Sequence, residues 1–459
     1  MKVAILGNGV AGTTCAMTLR QEDRTADVVL ISKESPYFYS RTALMYAFMD
    51  RMTLADLEPF ERKVYDHQRI ERIHDAVVDV DFVKKTLSFA KGDTLSFDRL
   101  VLATGAMPHF VPWQGLEDLA KAHDGTSSVQ SGIVHLVSLQ DLEVCESLVS
   151  TTKRAVVVGG GLIGIELVEC LVHHGVRVTF LVREDTFWPA ALNEQESAVV
   201  VAHMRAHGVD VRLGEAIGQV KRETSGRVCS VVTSKGDHLA CDMLGVCIGV
   251  KPSVGFLKGL SHGPQIGSGV LTDRFLRTTV EHVFACGDCA EIDLEAPSLF
   301  DVMGAALGTR KRVIELNWYA AKRQGAVAAH NVLGRMQAYR PPMFFNSSKF
   351  FDIEFTNVGF PQLDAKSHPA TVFNAPSGRS ILRIVHEEPL PQRVLSFNVL
   401  GARVDHALLA SWVEQRRGLA EVLARFHEAQ LDVEFGRVPF ERSAPMTLAW
   451  PQMSSGGAL

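Results

Sequence analysis

The hydrophobic pattern of the chain repeats itself in two places. Residues 3–33 and residues 155–184 each begin with a run of apolar side chains, pass through a glycine-rich turn, continue with apolar residues at helical spacing and end in a second β-branched run. This order predicts strand, turn, helix and strand. The repeat indicates an α/β protein with two Rossmann-like domains.

The glycines of both turns follow the G-x-G-x-x-G spacing, which carries a chemical meaning. The first glycine permits a tight turn, the second lets the backbone approach a pyrophosphate, and the third lets the helix pack on the strand. Free N–H groups at the helix N-terminus attract the anion. One match is weak evidence, but two in one chain predict two dinucleotide sites. The glycines are Gly7, Gly9 and Gly12 in the first turn and Gly159, Gly161 and Gly164 in the second.

Polar residues follow other predicted strands, at the ends where ligands bind in open α/β sheets. Glu34 comes soon after the second strand of the first unit and is expected to hold ribose hydroxyls, unless it lies in a surface turn. Residues 98–108 predict a buried strand that ends in a turn. Residues 278–290 predict a strand that delivers Asp288 beside Gly287, which allows close backbone approach.

The last third of the chain has a different pattern of predicted elements. A helix is predicted from Val313 to Leu333. Beyond it, alternating runs predict antiparallel strands, and two helical patterns end the chain. The runs are residues 371–374, 380–385 and 393–400, and the helical patterns are residues 408–413 and 419–426. This part is expected to be a separate α+β domain.

Length, composition and charge limit the number of domains, the kinds of partner and the location that are expected. A chain of 459 residues with 46% hydrophobic residues supports two to four domains, and a net charge of −5 argues against nucleic acid as a partner. No apolar run has the length of a membrane span, and the first predicted strand begins at residue 3, which leaves no room for a signal peptide. A cytoplasmic protein is expected. The eight cysteines do not form a disulfide pattern and should be thiols.

Five stretches, in this order, resemble the two-dinucleotide-fold flavoproteins of the pyridine nucleotide–disulfide oxidoreductase superfamily. Each stretch is weak evidence alone, but the set is highly specific and spans residues 1–335. The stretches are Gly7–Gly12, the turn Ala103-Thr104-Gly105 with Pro108, Gly159–Gly164, Gly249-Val250-Lys251-Pro252 and Gly287-Asp288.

The resemblance implies FAD and NAD(P)H as cofactors. It implies an FAD-binding domain of residues 1–120 and 251–335, interrupted by an NAD(P)H-binding domain of residues 121–250. The two cofactors would meet at the domain boundary. Residues 336–459 would form a C-terminal α+β interface domain.

Roles for single residues also follow from the resemblance. Asp288 would hydrogen-bond the ribityl chain of FAD, and Arg41 would contact FAD. The helix that begins near Trp318 would point its N-terminus at the flavin pyrimidine ring, where a positive helix end stabilises negative charge on reduced flavin. Glu166, one turn past Gly161, would orient the nicotinamide, unless it is an ordinary helix carboxylate.

The chain departs from the disulfide reductases of this superfamily, which carry a reactive cysteine after the first unit. No cysteine lies between Cys15 and Cys145, so a dithiol relay is not expected there. Residues 36–44 instead resemble the flavoprotein components that reduce rubredoxin, ferredoxin or nitrite. Those proteins usually have a lysine where this chain has Tyr46, which leaves Glu166 without its usual partner.

These features predict hydride transfer from NAD(P)H to flavin N5, followed by electron delivery to an acceptor protein such as a ferredoxin or rubredoxin. Two alternatives stay open. One is an NAD(P)H oxidase or reductase of a quinone-like small molecule, and the other is a redox-responsive interaction flavoprotein. A homodimer is also left open.

The choice of nucleotide depends on the end of the second strand of the second unit. An acidic residue there would bind the ribose 2′-hydroxyl of NADH, but Val182 occupies the position and Arg183 follows it. This pair favours NADPH or use of both nucleotides. Gly164 is more usual in NADH enzymes, and Arg183 could instead be a solvated strand end.

Three clusters admit a second interpretation. Cys286 and Cys289 have the spacing of a redox pair, but they lie inside the flavin aspartate motif. His203 and His207 lie four apart on a predicted helix, and without a third ligand in the sequence nearby they are interpreted as an exposed helix face rather than a metal site. A basic cluster either docks an acidic electron carrier or is a solvated face. Its members are Arg310, Lys311, Arg312, Lys322 and Arg323.

Overall fold

The computed structural model describes residues 1–111, 113–117, 127–294, 312–359, 368–375 and 378–431. The chain forms two compact units. Unit 1 is Met1–Pro112, Asp118–Ser150 and Ile248–Pro341, and unit 2 is Trp113–Glu117, Thr151–Cys247 and Pro342–Leu459. The C-terminal residues therefore group with the second glycine turn, and the three predicted domains stay a prediction. Within the described ranges, no helix is both long and apolar enough to cross a bilayer.

The elements are numbered along the chain. The strands are β1 (Lys2–Leu6), β2 (Asp27–Ser32), β3 (Ile70–His74), β4 (Val77–Asp81), β5 (Thr86–Phe89), β6 (Thr94–Ser96), β7 (Arg99–Leu102), β8 (Ala106–Pro108), β9 (Ile133–Val134), β10 (Arg154–Val158), β11 (Arg177–Val182), β12 (Asp210–Leu213), β13 (Ile217–Arg222), β14 (Val228–Thr233), β15 (His238–Ala240), β16 (Met243–Val246), β17 (Val250–Pro252), β18 (Val270–Thr272), β19 (Val283–Ala285), β20 (Ala290–Asp293), β21 (Arg312–Val313), β22 (Phe345–Phe350), β23 (Ile353–Gly359), β24 (Ala370–Asn374), β25 (Ile381–His386) and β26 (Val394–Leu400). The helices are α1 (Val10–Glu22), α2 (Leu44–Phe48), α3 (Lys63–His67), α4 (Leu139–Val149), α5 (Leu162–His173), α6 (Glu194–Ala206), α7 (Trp318–Val332), α8 (His406–Glu414) and α9 (Leu419–Arg425).

The parallel sheet of unit 1 has the strand order β3-β2-β1-β7-β19. Its apolar runs are buried, as the fully enclosed Val3, Ala4 and Ile5 show. The chain leaves β1 through α1 to β2 on one side and later returns as β7 on the other. The carboxyl ends of β1 and β7 therefore form a topological switch point, where this class of sheet binds ligands.

Helix α7 packs directly against α1. A side chain on Gly325 would clash with the carbonyl oxygen of Ala11, so the backbones of the two helices touch at this point. The prediction that this helix begins at Val313 is wrong, because β21 at that place pairs with β20. The helix begins after Asn317, whose side chain accepts hydrogen bonds from the backbone N–H groups of the first turn at 2.9 and 3.1 Å.

Unit 2 holds a second parallel sheet with the order β12-β11-β10-β16. Its C-terminal part is an antiparallel sheet with the order β22-β23-β26-β25-β24, packed with α8 and α9 around Phe397 and Trp412. The strands and helices predicted beyond residue 370 are confirmed. A buried ion pair joins this sheet to α6. Arg383 Nε donates to a carboxylate oxygen of Glu196 at 2.9 Å, and Glu196 is 1% exposed.

Candidate functional site

The first glycine turn lies at the switch point of unit 1. Gly7 has φ +117°, and a side chain on it would clash with the carbonyl oxygen of Ala103 on β7. A side chain on Gly12 would clash with the carbonyl oxygen of Gly7. A side chain on Gly9 would meet nothing within 4 Å. The outer glycines are therefore needed for packing, whereas Gly9 caps α1 beside open space, as a phosphate-binding backbone requires.

Two motifs that are far apart in sequence lie side by side at this edge. The hydroxyl of Thr104 donates to the carbonyl oxygen of Ser253 at 2.8 Å, and the N–H of Ser253 donates to the carbonyl of Gly105 at 2.9 Å. Strands β8 and β17 pair in the same place, and Gly249, the residue before β17, has φ +104°. The Ala103-Thr104-Gly105 turn and the Gly249 segment thus form one structure.

Asp288 is held at the carboxyl end of β19 by its neighbours. Gly287 has φ +77° and donates its N–H to the side-chain oxygen of the fully buried Gln324 on α7 at 2.7 Å. A side chain on Gly287 would lie 2.8 Å from the Ala11 side chain. Burial raises the pKa of half-buried Asp288 to about 6, and the nearby charge of Arg41 opposes the rise.

Glu34 and Arg41 are partners. Arg41 donates to both carboxylate oxygens of Glu34, at 2.7 and 3.1 Å. Glu34 also accepts from the Tyr39 hydroxyl and from the N–H of Leu139. Burial works against ionisation of Glu34, but the Arg41 charge and these hydrogen bonds outweigh it and hold its pKa below the ordinary value. The guanidinium of Arg41 also donates to the carbonyl of Val137.

Trp318 stands at the first position of α7. Its indole N–H is buried and has no hydrogen-bond partner among the described residues. Lys322 lies over its ring, 5.5 Å from the centroid. An unsatisfied buried donor, the open side of Gly9 and the half-buried carboxylate of Asp288 together fit a polar cofactor that brings its own acceptors and hydroxyl groups.

The second glycine turn repeats this geometry in unit 2. Gly159 has φ +119°, and a side chain on Gly164 would clash with the Gly159 carbonyl oxygen. Gly161 caps α5, and a side chain on it would meet nothing within 4 Å. In both turns the middle glycine therefore faces open space, whereas a side chain on the last glycine would clash with the carbonyl oxygen of the first.

Glu166 lies on α5 beside a partly buried ion pair that the sequence did not predict. Glu169, one turn further on, accepts from Lys349 Nζ of β22 at 2.7 Å and from the N–H of Phe351 at 3.1 Å. Burial and the charge of Glu169 raise the pKa of Glu166 to about 8, and Lys349 opposes the rise. The two members of this ion pair, Glu169 and Lys349, lie 180 residues apart in the sequence. No local signal could have found it.

Arg183 follows β11 and points into solvent. Its side chain is 80% exposed and donates to Glu184 at 2.7 and 3.2 Å, whereas Val182 is fully buried. Val182 therefore offers no polar group to a ribose. Arg183 has the reach and exposure to meet an anionic group.

The remaining clusters have separate outcomes. Cys286 and Cys289 are buried thiols, and burial raises the pKa of both, which makes them poor nucleophiles. All eight cysteines are free thiols in the structure. His207 is exposed, as the interpretation of an exposed helix face predicts, but His203 is only 12% exposed and contacts Asp352, so the prediction of an exposed face is wrong for His203. Of the basic cluster, residues 310 and 311 lie outside the described residues, and Arg312 is 3.7 Å from Asp293.

Residues 1–325 match the family described as pyridine nucleotide-disulphide oxidoreductase. The chain belongs to this family. Its members bind FAD and use NAD(P)H, so the predicted cofactors, the α/β fold with two Rossmann-like domains and the assignment as an oxidoreductase are confirmed. The roles predicted for individual residues stay predictions.

Similar proteins are known for most of the chain. It is 27% identical over 352 residues to the rubredoxin-NAD(+) reductase of Pseudomonas putida, covering 76% of this chain and 84% of the relative. It is 26% identical over 374 residues to the NADH oxidase of Methanocaldococcus jannaschii, covering 80% and 77%. The crystal structure of a covalent putidaredoxin reductase–putidaredoxin complex matches with a TM-score of 0.76 at 21% identity, covering 90% of this chain and 93% of the matched one.

Proposed function

We propose that the chain is an FAD-dependent NAD(P)H oxidoreductase that passes electrons to a small electron-transfer protein of the rubredoxin or ferredoxin type. The observation that carries the proposal is the pair of glycine turns, in each of which the middle glycine, Gly9 or Gly161, faces open space at the N-terminus of a helix. No cysteine lies between Cys15 and Cys145, which argues against a dithiol relay at that place. The similarity to a rubredoxin-NAD(+) reductase supports the class of acceptor.

The residues of unit 1 fit FAD. Gly9 would receive the pyrophosphate at the N-terminus of α1, and Arg41 with Glu34 would bind polar groups of the nucleotide. Asp288 would accept from ribityl hydroxyls, and Trp318 would donate its indole N–H. When bound, FAD would supply the conversion of one hydride into a proton and two electrons that leave one at a time. The N-terminus of α7 would favour negative charge on the reduced ring.

The residues of unit 2 fit the nicotinamide nucleotide. Gly161 would receive its pyrophosphate, and Arg183 would meet a 2′-phosphate if NADPH is used. Glu166, with a pKa of about 8, holds a proton at neutral pH. It can therefore donate a hydrogen bond to the carboxamide oxygen of the nicotinamide and fix the orientation of the ring.

Two matched variants test the assignment. Gly9→Ala and Gly161→Ala add the same methyl group, and neither meets a protein atom within 4 Å, so both should fold. We expect Gly9→Ala to purify with little flavin. We expect Gly161→Ala to keep its flavin, measured by absorbance, but to lose reduction of that flavin by NADH or NADPH under anaerobic conditions. Full flavin and normal reduction in both variants would refute the proposal.

The similarity to an NADH oxidase supports dioxygen as a second candidate acceptor. Reduced protein can be mixed with rubredoxin, with a ferredoxin, with a quinone or with air-saturated buffer. Reoxidation that is fastest with one of the two carrier proteins supports the proposal, and fastest reoxidation by air or quinone supports the alternative. Slow reoxidation in every case, with a change of oligomer size on adding nucleotide, would favour a redox-responsive interaction protein. A homodimer and a cytoplasmic location stay predictions.

A further inference from the structure

A cluster of side chains in unit 2 has the composition of a metal site. His203 lies in the last turn of α6, His207 is the residue that caps the helix, and Asp352 lies in the turn between β22 and β23. One ligand atom from each lies within 4.8 Å of the others. Asp352 is 149 residues from His203 in sequence, so the fold brings the third potential ligand to the histidine pair.

The ring of His207 is held in a fixed orientation. Its Nδ1 lies 2.9 Å from the carbonyl oxygen of His203, so Nδ1 carries the proton and donates it, which leaves Nε2 with a lone pair. The ring also stacks on Phe351, with centroids 4.5 Å apart and planes inclined by 28°. A hydrogen bond from the second ring nitrogen to a backbone carbonyl is the usual support of a metal-binding histidine.

The carboxylate of Asp352 is oriented in a similar way. One of its oxygens contacts Nε2 of His203, and the other accepts from Arg379 Nη2 at 2.7 Å. Arg379 thus holds the oxygen that a metal would not need, as outer partners of ligating carboxylates do. The positive charge of Arg379 also balances the negative charge of the Asp352 carboxylate. A plain network of hydrogen bonds without a metal is therefore the competing explanation.

We propose that His203, His207 and Asp352 bind one divalent transition-metal ion, with zinc as the preferred ion. Two imidazoles and one carboxylate form a set that suits zinc and disfavours magnesium or calcium, which prefer oxygen ligands. The ion would join the end of α6 to the β22–β23 turn within unit 2. It would therefore stabilise the attachment of the C-terminal sheet to the nucleotide-binding part of that unit.

Zinc titration of the FAD-loaded full chain tests the proposal. The protein is stripped with EDTA, exchanged into metal-free buffer and titrated with zinc chloride in a calorimeter, with magnesium chloride as a comparison. We expect one zinc ion per chain and no magnesium binding. His207→Phe keeps a ring that can stack on Phe351 but has no ligand atom, and Asp352→Asn removes the carboxylate. Each should weaken zinc binding at least about tenfold.

His262→Gln is the matched control, because it removes an exposed histidine in unit 1. It should bind zinc as the wild type does. Zinc should also raise the melting temperature of the wild type and of this control but not that of the two site variants. If the wild type binds no zinc, or if His207→Phe binds it with unchanged affinity, the site does not exist. Should Asp352→Asn fail to fold, His207→Phe decides the question alone.

Discussion

Arg41 and Glu34 form a two-point ion pair in which Nη2 lies 2.7 Å from one carboxylate oxygen and Nη1 lies 3.1 Å from the other. The sequence predicts a separate FAD-binding role for each residue. In the folded chain they are a single unit, because the orientation of each depends on the other. A planar guanidinium opposite a carboxylate gives this pair a fixed geometry that a lysine cannot reproduce.

We therefore expect Arg41→Lys to weaken FAD retention about tenfold, because one point charge replaces two aligned donors. Arg62→Lys is the matched control, since Arg62 makes the same kind of two-point pair with Glu58 in unit 1. Flavin content after dialysis measures the effect. Equal flavin in both variants would show that the geometry of the Arg41 pair does not matter for the cofactor.

The Arg41–Glu34 pair also predicts how the stability of the folded chain depends on pH. The pKa of Glu34 is lowered in the folded chain, so its contribution to stability is present above the ordinary value of 4.5 and is lost as the pH falls through the lower folded value. Wild type should therefore lose more stability than Glu34→Gln over that acid range. Urea unfolding at several pH values gives the comparison. Parallel curves for the two proteins would contradict the prediction.

Asp288→Ala should release FAD, because it removes the carboxylate that, under the proposed function, would accept hydrogen bonds from the ribityl hydroxyls. Asp293→Ala, which removes another half-buried carboxylate of unit 1, serves as the control. The absorbance ratio of flavin to protein after purification measures retention. An Asp288→Ala protein that purifies with full flavin would count against the assignment.

Glu166→Gln should change the pH dependence of stability. An acid whose pKa is raised from 4.5 to about 8 in the folded chain binds its proton more tightly there than in the unfolded chain. Wild type therefore loses stability as the pH rises between these two values, and the uncharged glutamine does not. Glu166→Gln should be more stable than wild type above pH 8 and similar to it near pH 4.5.

Glu194→Gln, on the exposed side of α6, is the control for this measurement and should follow wild type. Thermal unfolding across the pH range gives all three curves. A Glu166→Gln curve that runs parallel to that of wild type would mean that Glu166 is ionised at neutral pH, and it could then not donate a hydrogen bond to the nicotinamide.

Arg183→Ala should reduce the preference for NADPH over NADH about tenfold, or about 1.4 kcal/mol, because the charged contact proposed between Arg183 and the 2′-phosphate would be lost. Arg177→Ala, at the exposed start of the same strand, should leave the ratio unchanged. The ratio of kcat/KM for the two nucleotides is the measurement. An equal loss of kcat/KM with NADH would show that Arg183 does not bind the 2′-phosphate.

Local patterns predicted most of the fold. The glycine spacing and the apolar runs identified both parallel sheets, and the alternating runs identified the strands beyond residue 370. The sequence pattern predicts the start of α7 at Val313, five residues too early, because the apolar spacing there suits a helix as well as a strand. Only the pairing of β21 with β20 and the cap at Asn317 decide between them.

The parts of the sites that the sequence could not show rest on contacts between distant segments. Lys349 reaches Glu169 across 180 residues, and Asp352 reaches His203 across 149. Such contacts depend on how the C-terminal sheet packs on α5 and α6, for which the chain carries no short-range signal. The glycine turns were predictable because their chemistry is confined to six consecutive residues.

The burial of the cysteines has a practical consequence. Seven of the eight are buried, and only Cys229, on β14, is partly open to solvent. Burial raises the pKa of Cys241, the cysteine nearest to Cys229 along the chain, to about 12. The Cys241 thiol therefore stays protonated. A maleimide dye should therefore attach to the folded chain at one position without prior removal of the others, which gives a natural handle for fluorescence or for tethering to an electrode.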